Sequence, residues 1–262
     1  MLDRIKDLLD PPLEKHRIFF FHIAKCGGTS IAQAIEAAYK PWRSGRSQVV
    51  FRLNEEAARF ADVNSVGTGN DVRRDLLNYA LSLPTVRCVI GHFHFSNVAF
   101  ETYRDHWEFV TVLRNPIERW LSHYSYNLNS ASKFAIRTSL AAFIETEQAA
   151  SFGRAFVDEV TDDVNKVNLD LNARLEIAIR RFSGFALVGS VDDTAGFAKR
   201  FEERFDHRLS IKRLNVTPVG KRVDVQTLPT DLRRRICKLC EPDICLYETV
   251  LGSEIDPRGA AP

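Results

Sequence analysis

Residues 17–30 have the sequence Arg-Ile-Phe-Phe-Phe-His-Ile-Ala-Lys-Cys-Gly-Gly-Thr-Ser. Residues 17–23 form a nearly continuous apolar run of strand length, which is typical of a strand that is buried on both faces of a parallel sheet. Beyond the two glycines, apolar residues recur at helical spacing: Ile31, Ala34, Ile35 and Ala38. The stretch therefore predicts a strand, a tight loop at 24–28 and a helix over residues 29–39.

Three further apolar runs follow the same pattern of a strand and then a turn. Residues 86–90, 108–113 and 185–189 are rich in β-branched or aromatic side chains, and the runs end at residues that favour a turn or a helix cap. Because these strands alternate with helical segments, they favour parallel pairing. The predicted fold class is α/β, with a central parallel sheet flanked by helices.

The run at 108–113 ends in a helix-start signal, Arg-Asn-Pro-Ile-Glu at 114–118. Asn115 is a favoured N-cap residue, and Pro116 suits the first helical position. Glu118 stands where a capping box needs its acidic residue. These features predict a helix over residues 116–126.

The remaining segments are predicted more coarsely. Residues 137–182 have helical patterning, and residues 61–70 have the Gly, Asn and Ser content of a loop. We expect a short strand at 211–214. We also expect two helices near the end that are separated at Pro242, because a proline interrupts helical hydrogen bonding.

The bulk composition favours one domain that spans residues 1–262. The chain has 262 residues, of which 45% are hydrophobic, and this is enough for a full core in one α/β domain. Its net charge of +2 gives no general affinity for nucleic acid or for an acidic membrane. We therefore expect no nucleic-acid partner.

The location expected from the sequence is the cytoplasm. No apolar run approaches the roughly 20 residues that cross a bilayer, and the charged start of the chain lacks the apolar centre of a signal peptide. The five cysteines have no framework spacing, which suits a reducing compartment. We therefore expect a soluble protein with no membrane span.

The loop after the first strand has the residue types of an anion site. A helix start offers free backbone N–H groups and the positive end of the helix dipole. Gly27 and Gly28 allow the backbone to approach oxygen atoms closely. Thr29 and Ser30 add hydroxyl donors, and Lys25 adds a positive charge. The alternative interpretation is a Gly-Gly turn with a Ser/Thr cap.

The order of residues in this loop differs from a Walker A loop. A Walker A loop has its lysine after the glycines, whereas Lys25 precedes them. The sequence therefore disfavours an ATP- or GTP-dependent kinase or NTPase.

Residues 21–30 resemble the 5′-phosphosulfate loop of the carbohydrate sulfotransferases, most closely the branch that contains the heparan sulfate 2-O-sulfotransferases. That branch usually has Pro and Thr where this chain has Ala24 and Cys26. The resemblance implies that the loop binds the 5′ end of the sulfate donor PAPS (3′-phosphoadenosine 5′-phosphosulfate). The binding residues that it implies are Lys25, Cys26, Gly27, Gly28, Thr29 and Ser30.

A second segment, residues 112–124, resembles the 3′-phosphate motif of the same family. In that motif an Arg and a Ser eight positions later bind the donor's 3′-phosphate, and here they are Arg114 and Ser122. An Arg at a strand end and a Ser two turns into the following helix can face one anion. Asn115 replaces the Asp that is common in the family. The resemblance also implies the P-loop nucleotide-kinase-like fold of the sulfotransferases.

Two histidines are candidates for the catalytic base. Residues 91–95, Gly-His-Phe-His-Phe, resemble the Gly-His segment that carries the proposed base in the 2-O-sulfotransferases. This match selects His92 as the base, with His94 as the second candidate. An imidazole that titrates near neutrality suits the role. Lys25 is the candidate that stabilises or protonates the leaving phosphate oxygen. The resemblance also implies that Arg222 lies in a segment that closes over the 3′-phosphate.

The expected function is that of a sulfotransferase that moves a sulfuryl group from PAPS to a hydroxyl of a carbohydrate-type acceptor. The products are PAP and a sulfated glycan, and no metal ion is required. The acceptor class follows from the family branch alone. Two alternatives stay open: an ATP- or GTP-dependent phosphotransferase on the same fold, and a non-catalytic relative that binds a nucleotide or a polysaccharide.

Overall fold

The computed structural model describes residues 16–40, 49–64, 69–129, 135–161, 163–212 and 223–252. In these segments one sheet is formed by β1 (Ile18–Phe21), β2 (Val50–Arg52), β3 (Cys88–Gly91), β4 (Glu108–Leu113) and β5 (Leu187–Ser190). The strand order is β2-β3-β1-β4-β5, and every neighbouring pair is parallel. The predicted α/β class with a central parallel sheet is confirmed.

Helices surround this sheet. They are α1 (Gly28–Tyr39), α2 (Glu55–Asn64), α3 (Gly69–Ser82), α4 (Asn97–Tyr103), α5 (Pro116–Leu128), α6 (Leu140–Phe143), α7 (Glu147–Gly153), α8 (Ala155–Glu159), α9 (Asp163–Asn168), α10 (Leu171–Ser183), α11 (Thr194–Phe205) and α12 (Thr230–Leu251). Short 3₁₀ turns occur at Val191–Asp193 and Val225–Thr227. No helix in the described segments combines the length and apolar character that crossing a membrane requires.

The central strand β1 is apolar on both sides. Phe19 and Phe21 belong to one core, which is covered by α3, α10 and α12, and Ile18 and Phe20 belong to the other, which is covered by α1 and α11. All four side chains are fully buried. Each buried Phe stabilises the fold by roughly 1.5–3 kcal/mol. This two-sided burial explains the continuous apolar run in the sequence.

The strand order creates a switch point between β1 and β4. From β1 the chain leaves through α1 toward the edge strand β2, whereas from β4 it leaves through α5 toward the other edge strand, β5. Two loops that leave in opposite directions open a crevice at the carboxyl ends of their strands. Open α/β sheets bind ligands at such crevices.

The predicted start of α5 is confirmed in its cap but not in its capping box. The Asn115 side chain accepts hydrogen bonds from the backbone N–H groups of Ile117 at 3.0 Å and Glu118 at 3.3 Å. The Glu118 carboxylate, however, binds the Arg114 guanidinium. The Asn115 N–H donates to the carboxylate of Asp192 instead. A residue from the turn after β5 thus completes the cap.

Two other predictions are wrong. Residues 61–70 are not a loop throughout, because α2 extends to Asn64 and α3 begins at Gly69. The chain is also not divided at Pro242, since α12 is one continuous helix. Residues on both sides of the proline are buried, among them Cys240 and Leu246. Their packing offsets the hydrogen bond that the proline removes.

The edge strand β2 was the least predictable part of the sheet. No strand was predicted at β2, which has three residues that are only partly buried or exposed. Residues 211 and 212 are irregular, and the rest of the strand expected at 211–214 lies outside the described residues.

Candidate functional site

The loop at 24–27 and Arg114 meet at the crevice between β1 and β4. The backbone N–H of Arg114 forms a hydrogen bond with the sulfur of Cys26. The Cys26 side chain is fully buried, and this burial raises the pKa of its thiol to about 12. The thiol therefore fixes the loop to the end of β4, and any ligand contact of Cys26 falls to its backbone.

The loop backbone has an unusual conformation. The φ angles of Lys25 (69°) and Gly27 (66°) both lie in the left-handed region. Non-glycine residues with such angles cluster at functional sites, and turns of this kind can aim successive N–H groups at an anion. Gly27 also has no room for a side chain, because an added Cβ would lie 2.5 Å from Cγ2 of Val191.

The start of α1 has no side-chain cap. Gly27 is the N-cap residue and makes no side-chain hydrogen bond, and the first turn contains no acidic residue. In contrast, Ser96 caps α4 and Asn115 caps α5. The N-cap residue of this 12-residue helix therefore supplies no capping side chain, and the positive end of the helix dipole lies at this position.

One face of α5 runs between two cations. Glu118, Ser122 and Tyr126 are spaced by four residues and share this face. The Glu118 carboxylate accepts hydrogen bonds from Nη2 of Arg114 at 2.6 Å and from Nε at 3.2 Å. Nζ of Lys25 lies 4.0 Å from the centre of the Tyr126 ring. Ser122, which is half-buried, thus stands between Arg114 and Lys25.

Both cations favour an anion between them. Arg114 uses Nε and Nη2 on Glu118, while Nη1 makes no hydrogen bond within the described residues. The Ser122 hydroxyl makes none there either. Burial lowers the pKa of Lys25, and the charges of Arg114 and Arg119 lower it further. A bound anion would relieve this repulsion.

The turn after β5 forms another wall of the crevice. Burial raises the pKa of the Asp192 carboxyl, and the charge of Glu118 raises it further. The Ser190 hydroxyl and the Tyr247 hydroxyl are 3.0 Å apart and share a hydrogen bond. No local sequence pattern indicates a role for these residues, because their contacts join distant parts of the chain.

His92 follows β3 and packs against His22, the first residue after β1. Nδ1 of His92 is 2.6 Å from the carbonyl oxygen of His22, and the two rings stack with centroids 3.9 Å apart. Because a carbonyl only accepts, Nδ1 carries the hydrogen and Nε2 keeps the lone pair of the neutral ring. Burial lowers the pKa of His92, although the charge of Glu55 raises it in part.

An ion pair holds the backbone of His92. Its N–H donates to Oε1 of Glu55 at 3.3 Å, and its carbonyl accepts from Nη1 of Arg73 at 2.6 Å. Arg73 and Glu55 are themselves 3.4 Å apart. Since they lie 19 and 37 residues from His92, no local pattern could reveal them. His94 is partly exposed.

His123 follows Ser122 in α5 and lies close enough to Lys25 for the charge of the lysine to act on it. Its ring stacks on Phe152 with centroids 3.8 Å apart, and burial lowers its pKa to about 3, with the charges of Arg119 and Lys25 adding to this effect. A cleft of about 450 Å³ is lined by Arg17, Glu108 and Arg204 at the opposite, amino-terminal edge of the sheet. None of the predicted site residues that the structure describes lines that cleft.

The predicted site residues therefore fall into three groups. The loop at 24–30, Arg114 and Ser122 meet at the crevice. His92 lies beside them and is linked to the loop through His22. Arg222 lies outside the described residues. In comparisons with known proteins, no family model matches the chain and no curated protein matches it.

Proposed function

We propose that the chain is a sulfotransferase that moves a sulfuryl group from PAPS to a hydroxyl of a carbohydrate-type acceptor. The observation that carries this proposal is the meeting of two distant segments at one crevice. The loop at 24–30 and Arg114 are joined by a hydrogen bond, and Ser122 lies between Lys25 and Arg114. A donor with phosphate groups at both ends suits a crevice with positive groups at both ends.

In this proposal the 5′ end of PAPS lies at the start of α1. The uncapped N–H groups of the helix and the ammonium of Lys25 bind its oxygen atoms. The 3′-phosphate accepts hydrogen bonds from Nη1 of Arg114 and from the Ser122 hydroxyl. Glu118 keeps the guanidinium in place by binding its other two nitrogens.

The transfer requires one proton acceptor and one positive charge. Nε2 of His92 takes the proton of the acceptor hydroxyl as its oxygen forms a bond to sulfur. The bond from sulfur to the bridging oxygen breaks, and its electron pair stays on the 5′-phosphate of PAP. Lys25 stabilises that oxygen or protonates it.

The pKa values of these two groups suit their roles. Burial lowers the pKa of His92, so its imidazole is neutral at neutral pH and can accept a proton. Burial also lowers the pKa of Lys25, so its proton is given up more easily. No step in this scheme requires a metal ion, and the cytoplasm remains the location that we propose.

The proposal is tested by thermal unfolding with PAP, ATP or GTP, each with and without Mg²⁺. We expect PAP to raise the melting temperature in both conditions, since a ligand at about 100 times its Kd stabilises the folded state by about 2.7 kcal/mol. Sulfate transfer from labelled PAPS to a panel of glycans then tests turnover.

Each alternative has its own outcome in these experiments. Stabilisation by ATP or GTP that needs Mg²⁺ would favour a phosphotransferase. Stabilisation by PAP without transfer to any glycan would favour a non-catalytic binding protein. A protein that is indifferent to millimolar PAP would contradict the proposal.

A further inference from the structure

The imidazole of His22 touches both halves of the site. On one side it stacks on the His92 ring, with centroids 3.9 Å apart and planes inclined by 24°. It also lies against Gly28, the first residue of α1. A Cβ added to Gly28 would be 2.2 Å from Cδ2 and 2.4 Å from Nε2 of His22. One ring therefore separates the start of the helix from the candidate base.

The backbone of His22 also acts on His92. Its carbonyl accepts the Nδ1 hydrogen at 2.6 Å, which leaves Nε2 as the one ring nitrogen that can take a proton. The N–H of His22 donates to the carbonyl of Gly91 at 3.4 Å, so the ends of β1 and β3 are joined at this point. These bonds connect both histidines to the ends of β1 and β3.

His22 does not compete with His92 for a proton. Burial lowers the pKa of His22 to about 3, and the nearby His92 and Arg52 add to this effect. The charged groups that face His92 are Glu55 and Arg59 from α2 and Arg73 from α3. At neutral pH His22 is therefore a neutral, flat surface beside a ring that titrates.

We propose that His22 is a positioning residue for the His92 imidazole. Its ring fixes the plane of His92, and its carbonyl fixes the tautomer. Residue 28 is a glycine because any side chain there would displace this ring from the start of α1. The inference rests on the proposed function, since that function gives His92 the role of base.

The tautomer is measured first, on the protein without ligand. Imidazole nitrogen chemical shifts of histidine-labelled protein distinguish protonated from unprotonated ring nitrogens, and His92→Ala identifies the signals of His92 among the seven histidines. We expect a protonated Nδ1 and a free Nε2. A protonated Nε2 with a free Nδ1 would overturn the inference.

Turnover is measured next, with variants that keep the carbonyl. In His22→Ala we expect kcat to fall roughly 10- to 100-fold, because a misplaced group loses alignment, while the Kd for PAP stays unchanged. The acid limb of the pH profile should shift upward, because His92 becomes more exposed to water. His22→Phe restores a flat ring and should recover part of kcat.

The control is His106→Ala, which removes an exposed histidine at the amino-terminal edge of the sheet. This variant should have the same His92 tautomer, kcat and pH profile as the native protein. If His22→Ala lowers only the melting temperature, its role is purely structural and the inference fails.

The outcomes separate this inference from the proposed function. Absence of PAP binding and of sulfate transfer would end the proposed function, whatever the tautomer of His92. If transfer depends on His92 but His22→Ala behaves as the native protein, the inference about His22 fails alone.

Discussion

Two loops at the same edge of the sheet have opposite designs. The loop after β1 presents its backbone, with left-handed residues and a helix start that has no cap. The loop after β3 presents a side chain, and its own backbone is held. Glu55 and Arg73 bind the N–H and carbonyl of His92, and Ser96 caps α4 by accepting a bond from Ala99 N–H at 3.1 Å.

The difference agrees with the two tasks that we propose for this edge, which are donor binding and base catalysis. A capping side chain occupies N–H groups that an anion could otherwise bind. The helix after the first loop has no such cap, which would contribute about 0.5–2 kcal/mol of stability. A base must keep one tautomer and one orientation, so the second loop is fixed by hydrogen bonds. We expect changes in the backbone of the first loop to alter donor binding and changes in the second loop to alter turnover.

The largest expected effect comes from His92→Ala. Sulfate transfer should fall by roughly 10² to 10⁴, as expected for loss of a general base. The Kd for PAP, measured by calorimetry, should not change. Native turnover in this variant would contradict the assignment of the base. Loss of turnover in His94→Ala alone would transfer the role to His94.

The next largest effect is expected from Arg114→Ala. Loss of a charge-assisted hydrogen bond costs about 1.5–3 kcal/mol, so the Kd for PAP should rise roughly 10- to 100-fold. Binding of AMP, which lacks the 3′-phosphate, should be unaffected. Equal losses for PAP and AMP would place Arg114 away from the 3′-phosphate. Arg104→Ala, at an exposed ion pair with Glu101, is the matched control.

The pH profile of kcat/KM should have one limb from each loop, with the rise due to His92 in the second loop and the fall due to Lys25 in the first. In the proposed mechanism transfer requires neutral His92 and protonated Lys25, so kcat/KM should rise with pH, level off and then fall. Because burial lowers both pKa values, the rise should be centred below 6.5 and the fall below 10.5. Each limb should change the rate by about tenfold per pH unit. A rise centred above 6.5 would contradict a buried histidine base.

Gly27→Ala tests the backbone design of the first loop. The new Cβ would strain a left-handed residue and press on Val191. We expect roughly tenfold weaker binding of both PAP and AMP, since a strained backbone costs about 1–3 kcal/mol. Gly252→Ala is the control, because Gly252 has the same φ of 66° but no atom within 4 Å of an added Cβ. Gly252→Ala should lower the free energy of unfolding without weakening the binding of PAP.

The central strands were predictable from sequence, whereas the edge strand β2 and the continuity of α12 were not. β1 and β4 are buried on both faces, so each is visible in the sequence as an apolar run about as long as one strand. β2 has three residues at an edge and carries no such run. The continuity of α12 through Pro242 depends on packing against other helices, which a local rule about proline does not include.

The candidate site divides in the same way. The loop at 24–30 was predicted from local residue types at a strand-to-helix junction, and Arg114 was predicted from the resemblance of residues 112–124 to a family motif. The Arg114 pair with Glu118 was not predicted, because the sequence placed Glu118 in a capping box, although the two residues are four apart. The contacts of His92 with His22 and Glu55 join residues from separate strands and helices, and no spacing encodes them.

The smallest effect is expected from Ser96→Ala, which removes the cap of α4 in the second loop. The free energy of unfolding should fall by about 1 kcal/mol, measured by denaturant titration. The Kd for PAP should not change, because we propose that the first loop binds the donor. Ser139→Ala removes the comparable cap of α6, where Ser139 accepts a bond from Ala142 N–H at 3.3 Å.

The comparison of these two cap variants decides whether the loops are independent. If both variants lose similar stability and neither binds PAP more weakly, the second loop contributes the His92 side chain and does not contribute to the donor site. If Ser96→Ala weakens the binding of PAP while Ser139→Ala does not, the loop after β3 also contributes to the donor site. In that case His22, which contacts both His92 and Gly28, is the structural link through which the effect would pass.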